Sequence, residues 1–246
     1  MSLHLFNRGG GVVYHLRALR YSRREWALFK KEVSEWLEKW NPSNSKNLLL
    51  VGPSGGYCFD SNRLKRFDRI VAFDIDSLAP FFFKRNHPDL MVQFKNQCVF
   101  SFFKKHQFDS KKISDELFSG EPFSILFSNF LGQTEIVYPP VSQLSGMKHA
   151  EWMGRLSEFL KTVSWASFHD RLSGELKPIK VTPFITEVRA TVHELLLNYF
   201  SPTANGEVID HSVDSIFSKK DGPFQYLILP LVPGRKAHII ECYKSG

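Results

Sequence analysis

Between Asn47 and Asp76 two apolar runs each end in residues suited to holding a ligand, and that pairing narrows the folds open to this chain. The first run, Leu48-Leu49-Leu50-Val51, passes into Gly52-Pro53-Ser54-Gly55-Gly56-Tyr57, and the second, Ile70-Val71-Ala72-Phe73, stops at Asp74. Continuous apolar residues mark a strand buried on both faces, as in a parallel sheet covered by helices. Small residues directly after such a strand let the backbone turn tightly against a ligand, and an acid about 20 positions further on can hold ribose hydroxyls. Asp74 follows Gly52 by 22 positions. The outline is that of a nucleotide-binding βαβ unit.

The loop itself discriminates among nucleotide binders. A dinucleotide fingerprint needs glycine at its first, third and sixth positions, and here Ser54 and Tyr57 occupy the third and sixth, which weakens a nicotinamide or flavin assignment. A phosphate-gripping loop needs Gly-Lys-Ser/Thr where this chain has Tyr57-Cys58-Phe59, so that reading is dropped. The plain alternative is a strand-to-helix turn that binds nothing, because glycine also serves ordinary tight turns.

Aligned on an acidic-x-Gly-x-Gly-x-Gly loop, Leu50-Val51-Gly52-Pro53-Ser54-Gly55-Gly56 resembles the S-adenosylmethionine (SAM) site of class I methyltransferases, with the first and third glycines in place. Ser54 stands where the family usually has its middle glycine, and Leu50 where it has an acid near the methionine amino group. Val71-Ala72-Phe73-Asp74-Ile75-Asp76 matches the second motif, which ends in the ribose-binding acid. The resemblance implies SAM as cofactor, with Gly52, Pro53, Ser54, Gly55 and Gly56 along the methionine portion. It places Asp74 and Ile75 at the ribose, and Asn96 or Gln97, just after the third strand, at the adenine, whose edge suits an amide's donor and acceptor. It also makes Ser128-Asn129-Phe130-Leu131-Gly132-Gln133 the catalytic region, with Asn129 orienting a substrate and Phe130 on the substrate side. The Asn-Pro-Pro-Tyr signature of amino-group methylation is absent.

A further candidate follows the fifth strand. Open α/β sheets place ligands outside the carboxyl ends of their strands, which directs attention to His169-Asp170-Arg171. Histidine has the side chain suited to proton transfer near neutrality, and Asp170 would orient His169 or a substrate. Adjacent residues of an extended strand point to opposite sides, so the two act together only if the chain turns there.

The remaining periodicity predicts an α/β fold: a doubly wound, mostly parallel seven-stranded sheet with helices on both faces and a C-terminal antiparallel hairpin, Tyr226 to Leu231 and Ala237 to Tyr243 about a Pro233-Gly234 turn. Inserting one antiparallel strand at the end is a signature of the class I methyltransferase sheet. Ser22 and Glu25 read as a capping box opening a helix through Trp26, Phe29, Val33, Trp36, Leu37 and Trp40. Thr182-Pro183 reads as the start of another, through Phe184 to Phe200. Tyr138-Pro139-Pro140 and Ser201 to Gly206 read as loops. Residues 1–43 are expected to form an arm, up to about residue 20, and an amphipathic helix packing on a methyltransferase-like domain, 44–246.

Composition removes several other classes. With 246 residues and 43% apolar content the chain can furnish one sizeable core. Three dispersed cysteines and nine dispersed histidines offer neither a disulfide framework nor a metal site. No run reaches the length of a membrane span, so a cytoplasmic protein with no membrane partner is expected. The formal charge of +7 favours anionic partners and keeps nucleic acid among the methyl acceptors, beside small molecules. Leu50 and Ser54 leave a second function open, a binding or interaction module that keeps the fold and has lost SAM.

Overall fold

Three apolar runs build the middle of the sheet. β1 (Asn47–Val51), β2 (Arg69–Phe73) and β4 (Phe123–Ser128) bury almost every side chain, as strands covered on both faces do. In this computed structural model, which describes residues 11–42, 45–134, 148–175, 177–200, 207–211, 213–214, 216–217, 222–232 and 236–245, β1 pairs in parallel with β2 on one side and β4 on the other. β3 (Val92–Lys95) adds in parallel to β2, and β5 (Ser164–Gly174) to β4. β9 (Lys236–Lys244) then runs antiparallel to β5, and β8 (Phe224–Val232) antiparallel to β9.

The mostly parallel α/β sheet and its terminal antiparallel pair are therefore as expected, but where seven strands are expected the described residues form nine, eight of them in the order β3-β2-β1-β4-β5-β9-β8-β6 and β7 off that path against β5. β6 (Phe184–Thr186) closes the outer edge of β8. β7 (Val208–Asp210) pairs with Leu172–Gly174 of β5, beyond the last residue that β5 shares with β4. Both additions cover backbone groups that an open edge would leave unpaired.

The period of two along each strand sorts the core into two layers. Leu48, Leu50, Ile70, Ala72 and Leu126 face one apolar cluster, filled by α1 (Gly11–Tyr21), α2 (Ala27–Glu38) and α3 (Ala79–Asn86). Leu49, Val51, Val71, Phe73 and Phe127 face the other, filled by α4 (Val99–Lys105), α5 (Ser110–Phe118), α6 (His149–Leu160) and α7 (Val192–Tyr199). Trp26, Trp36 and Trp40 are at most 3% exposed, and burial of a large apolar side chain of this kind contributes about 2 kcal/mol or more. The tryptophan stripe is thus core.

Several boundaries differ from expectation. Residues 11–20, read as part of an arm, form α1 with His15 and Ala18 buried. Ser22 caps nothing: its N–H donates to Ala18 O at 2.8 Å, the chain turns, and α2 begins at Ala27 with no side-chain cap. The helix read from Thr182 starts only at Val192, where Thr191 and Glu194 make the capping box. Phe184–Thr186 is strand β6 because the β8 edge offers it a ladder. The first ten residues, the Tyr138–Pro140 loop, the Ser201–Gly206 loop and the Pro233-Gly234 turn lie outside the described residues. Among the described residues no helix is long and apolar enough to cross a membrane, and no group of three or more potential metal ligands occurs.

Candidate active site

The turn after β1 keeps an unusual backbone. Gly52, Ser54 and Gly56 have φ of +67°, +48° and +68°, so all three alternate positions of the glycine pattern are left-handed, Ser54 included. That conformation costs a non-glycine residue roughly 1–2 kcal/mol, and hydrogen bonds hold it. Ser54 N–H donates to Asp74 Oδ2 at 2.7 Å, Gly52 N–H to Phe73 O at 2.8 Å and Gly56 N–H to Pro53 O at 2.9 Å. The glycines also answer to their neighbours. A Cβ on Gly52 would lie 3.3 Å from both Phe130 Cβ and Ser128 O, at the end of β4. One on Gly56 would lie 2.4 Å from His87 Nε2, which donates to Gly56 O at 2.8 Å. Gly56→Ala is accordingly expected to lose about 2 kcal/mol or more, lowering the thermal midpoint by about 4–8 °C in a melting scan.

Asp74 ties the turn to the end of β2. Its Oδ1 accepts from Asp76 N–H at 2.9 Å while Oδ2 accepts from Ser54. Burial pushes its pKa up to about 6, against the pull of the Asp76 and Ser54 N–H groups. Ile75 beside it is exposed. Asn96 Nδ2 donates to Asp74 O at 3.1 Å, and Asn96 and Gln97 are both exposed at this edge of the sheet.

Helix α1 closes over the same edge. Asp76 Oδ2 accepts from Gly11 N–H at 3.2 Å and from His15 Nε2 at 2.9 Å, while His15 Nδ1 lies 3.0 Å from the Tyr57 hydroxyl. The His15 ring stacks on Phe82 with centroids 4.2 Å apart. Burial raises the Asp76 pKa, but the His15, Leu78 and Gly11 hydrogen bonds outweigh it and hold the carboxyl below its ordinary range. Burial also pushes Tyr57 up to about 12.

At the ends of β4 and β5 a second polar cluster forms. Asn129 is left-handed, with φ of +53°, and its N–H donates to Phe168 O at 2.7 Å. Its Oδ1 accepts from Asp170 N–H at 2.9 Å and its Nδ2 donates to Asp170 Oδ2 at 3.3 Å. Gln133 Nε2 reaches the same oxygen at 3.4 Å, and His238 Nδ1 donates to Asp170 Oδ1 at 2.7 Å. Gly132 is required here, since a Cβ would lie 2.1 Å from Asp170 O. Burial would raise the Asp170 pKa, yet His238, His211 and Gln133 pull it down to about 2. Phe130 and Ser128 lie directly against Gly52, so this cluster adjoins the glycine turn. Burial pushes Cys58 up to about 12. Phe130 is half-buried, its ring 5.3 Å from that of Phe100.

His169 does not join this cluster, contrary to the expectation that it faces the cleft. It has no exposed surface, its Nε2 lies 3.2 Å from Glu241 Oε1, and its ring stacks on Phe217. The cause is the strand alternation: β5 continues past Phe168, so Asp170 lies on the α1 side and His169 on the other. The structure thus brings together Gly52, Pro53, Ser54, Gly55, Gly56, Asp74 and Ile75, with Asn96 and Gln97 beside them, and Asn129, Phe130 and Asp170 next to the turn. Sequence reasoning missed His15 and His238, and gave Gln133, inside the expected catalytic region, no role of its own. The signal for His238 was a polar residue in the apolar run of β9, whose partner only the sheet register supplies.

No family model and no curated protein matches the chain. Among solved structures it is similar to the DhpI–SAH complex, at 12% identity and a TM-score of 0.37 over 95% of this chain and 94% of that one. It is also similar to the N-terminal domain of EvdMO1 with SAH bound, at 10% identity and a TM-score of 0.36 over 94% and 81% of the two chains.

Proposed function

We propose that the protein is a SAM-dependent methyltransferase, with residues 44–246 as the transferase domain and 1–43 packed on it. The observation that carries this reading is the left-handed backbone at Gly52, Ser54 and Gly56, anchored by the Asp74 carboxylate at the carboxyl ends of adjacent parallel strands. A carboxylate has about four acceptor positions. Two of those on Asp74 are taken by N–H groups, which leaves two for a ribose diol. Gly52, Pro53, Ser54, Gly55 and Gly56 would admit the methionine portion, Ile75 would flank the ribose, and Asn96 or Gln97 would read the adenine edge. SAM would supply an electrophilic methyl group. The protein's own part is orientation and exclusion of water, an effect worth several kcal/mol, for which Asn129, Phe130 and Asp170 stand on the acceptor side.

Calorimetric titration of SAM and S-adenosylhomocysteine (SAH) into the full chain, with NAD⁺ as comparator, tests this. Saturable heat with SAH and none with NAD⁺ is the expected result. No heat with SAM or SAH at millimolar ligand overturns it in favour of an interaction module. Leu50 motivates that second reading: it is fully buried, and an apolar side chain cannot replace a carboxylate at the methionine amino group.

A further inference from the structure

Where β5 and β9 run on past the end of β4, they hold a carboxylate and an imidazole in the arrangement of a proton acceptor. Asp170 and His238 are 68 residues apart in sequence, and the antiparallel register that sets Asp170 opposite Ile240, two residues along β9 from His238, brings them to one face. His238 Nδ1 donates to Asp170 Oδ1 at 2.7 Å, with the Asp170 side chain 4% exposed and that of His238 19% exposed. A carboxylate accepting from Nδ1 selects the tautomer whose Nε2 carries the lone pair. Among the described residues Nε2 has no hydrogen-bond partner. Asp170 cannot swing away, because Asn129 and Gln133 hold its second oxygen and Asn129 Oδ1 holds its N–H.

Resting on the methyltransferase reading, we infer that His238 is the proton acceptor of the reaction, positioned by Asp170, and that the methyl acceptor bears a hydroxyl group. A hydroxyl is a weak nucleophile until an adjacent base takes its proton. Here that proton passes to His238 Nε2 while the oxygen electron pair forms the new O–C bond, the pair of the broken S–C bond staying on sulfur. The products are a methyl ether, SAH and a protonated imidazole that returns its proton to water.

Long-range ¹H–¹⁵N NMR of the imidazoles in the full chain tests this, with His238→Gln to assign the signals. The expected spectrum has the His238 proton on Nδ1 and a bare Nε2 at about pH 8. Asp170→Asn, whose amide accepts more weakly, should let the Nε2-protonated form appear, a change that a merely structural Asp170 would not cause. Addition of SAH should shift the His238 signal. A proton on Nε2, or on both nitrogens, in the wild type overturns the proposal, as does SAH that binds by calorimetry and leaves the His238 signal in place. Absence of SAH binding overturns the methyltransferase reading itself, so the two failures are distinguishable.

Discussion

Glu241→Ala is expected to destabilise the protein by about 3–5 kcal/mol. Glu241 sits on β9 with no exposed surface. It takes hydrogen bonds from Arg189 Nε at 3.0 and 2.9 Å and from the Tyr226 hydroxyl at 3.0 Å, and it lies 3.2 Å from His169 Nε2 and 3.9 Å from Arg171 Nε. The outer ends of the two arginines reach Asp210 and Asp214 nearer the surface. Removing the carboxylate at the centre takes the buried acceptor away from Arg189 Nε, the Tyr226 hydroxyl and the inner end of Arg171, and breaking a buried pair by removing one partner is far costlier than the pair was beneficial. Urea unfolding followed by tryptophan fluorescence measures it, and a loss under 1 kcal/mol would sink the idea. The same carboxylate shapes the acid limb of stability. Burial raises its pKa, but His169 and Arg189 outweigh that and bring it down to about 2. A depressed folded pKa contributes stability that is fully present above the unfolded value of about 4.3 and is lost as pH falls toward 2. At about 1.4 kcal/mol for each pKa unit the contribution is about 3 kcal/mol, the same size as the mutational effect. The wild type should therefore lose stability steeply across that window, and the Ala variant less so.

This network also explains where the sequence was hard to read. β1, β2 and β4 were legible because both faces are apolar, so no tertiary knowledge was needed to recognise them. The sequence ends the fifth strand at Phe168 and reads His169-Asp170-Arg171 as a polar triplet facing the cleft. β5 runs on to Gly174 because Glu241 meets His169, while His238 and Asn129 meet Asp170. Partners that far along the chain leave no mark in local pattern. The capping motif shows the same limit from another side. Ser22 with Glu25 and Thr191 with Glu194 share one spacing, and only the second caps a helix, because the chain before Ser22 is already helical. At the candidate site, Gly52 to Gly56 and Asp74 were readable as a unit from strand ends and glycine. The Asp170–His238 pair and the seating of His15 on Asp76 depend on sheet register and on α1, which no motif announced.

Asp74→Asn should raise the Kd for SAH about 100-fold or more, with the β-sheet intact by circular dichroism. The carboxylate does two things at once: it accepts from Ser54 and Asp76 N–H groups, and on the proposed reading it accepts from the ribose diol. An amide presents one acceptor oxygen in place of two. Whichever way it turns, its NH₂ confronts either an N–H donor of the turn or a hydroxyl of the ligand. A hydrogen bond to a charged group is worth about 1.5–3 kcal/mol, so losing one and weakening a second amounts to about 3 kcal/mol, or about two orders of magnitude in affinity. The pH dependence should point the same way. With burial raising the Asp74 pKa to about 6, the acceptor is ionised at neutrality and protonates as pH falls through that value, so SAH binding should weaken between about pH 7 and pH 5. Asp74→Asn cannot titrate there, and its weaker affinity should be flat over the same range. A variant that binds SAH as the wild type does would mean that Asp74 serves only to hold the turn, and would remove the ribose from its duties.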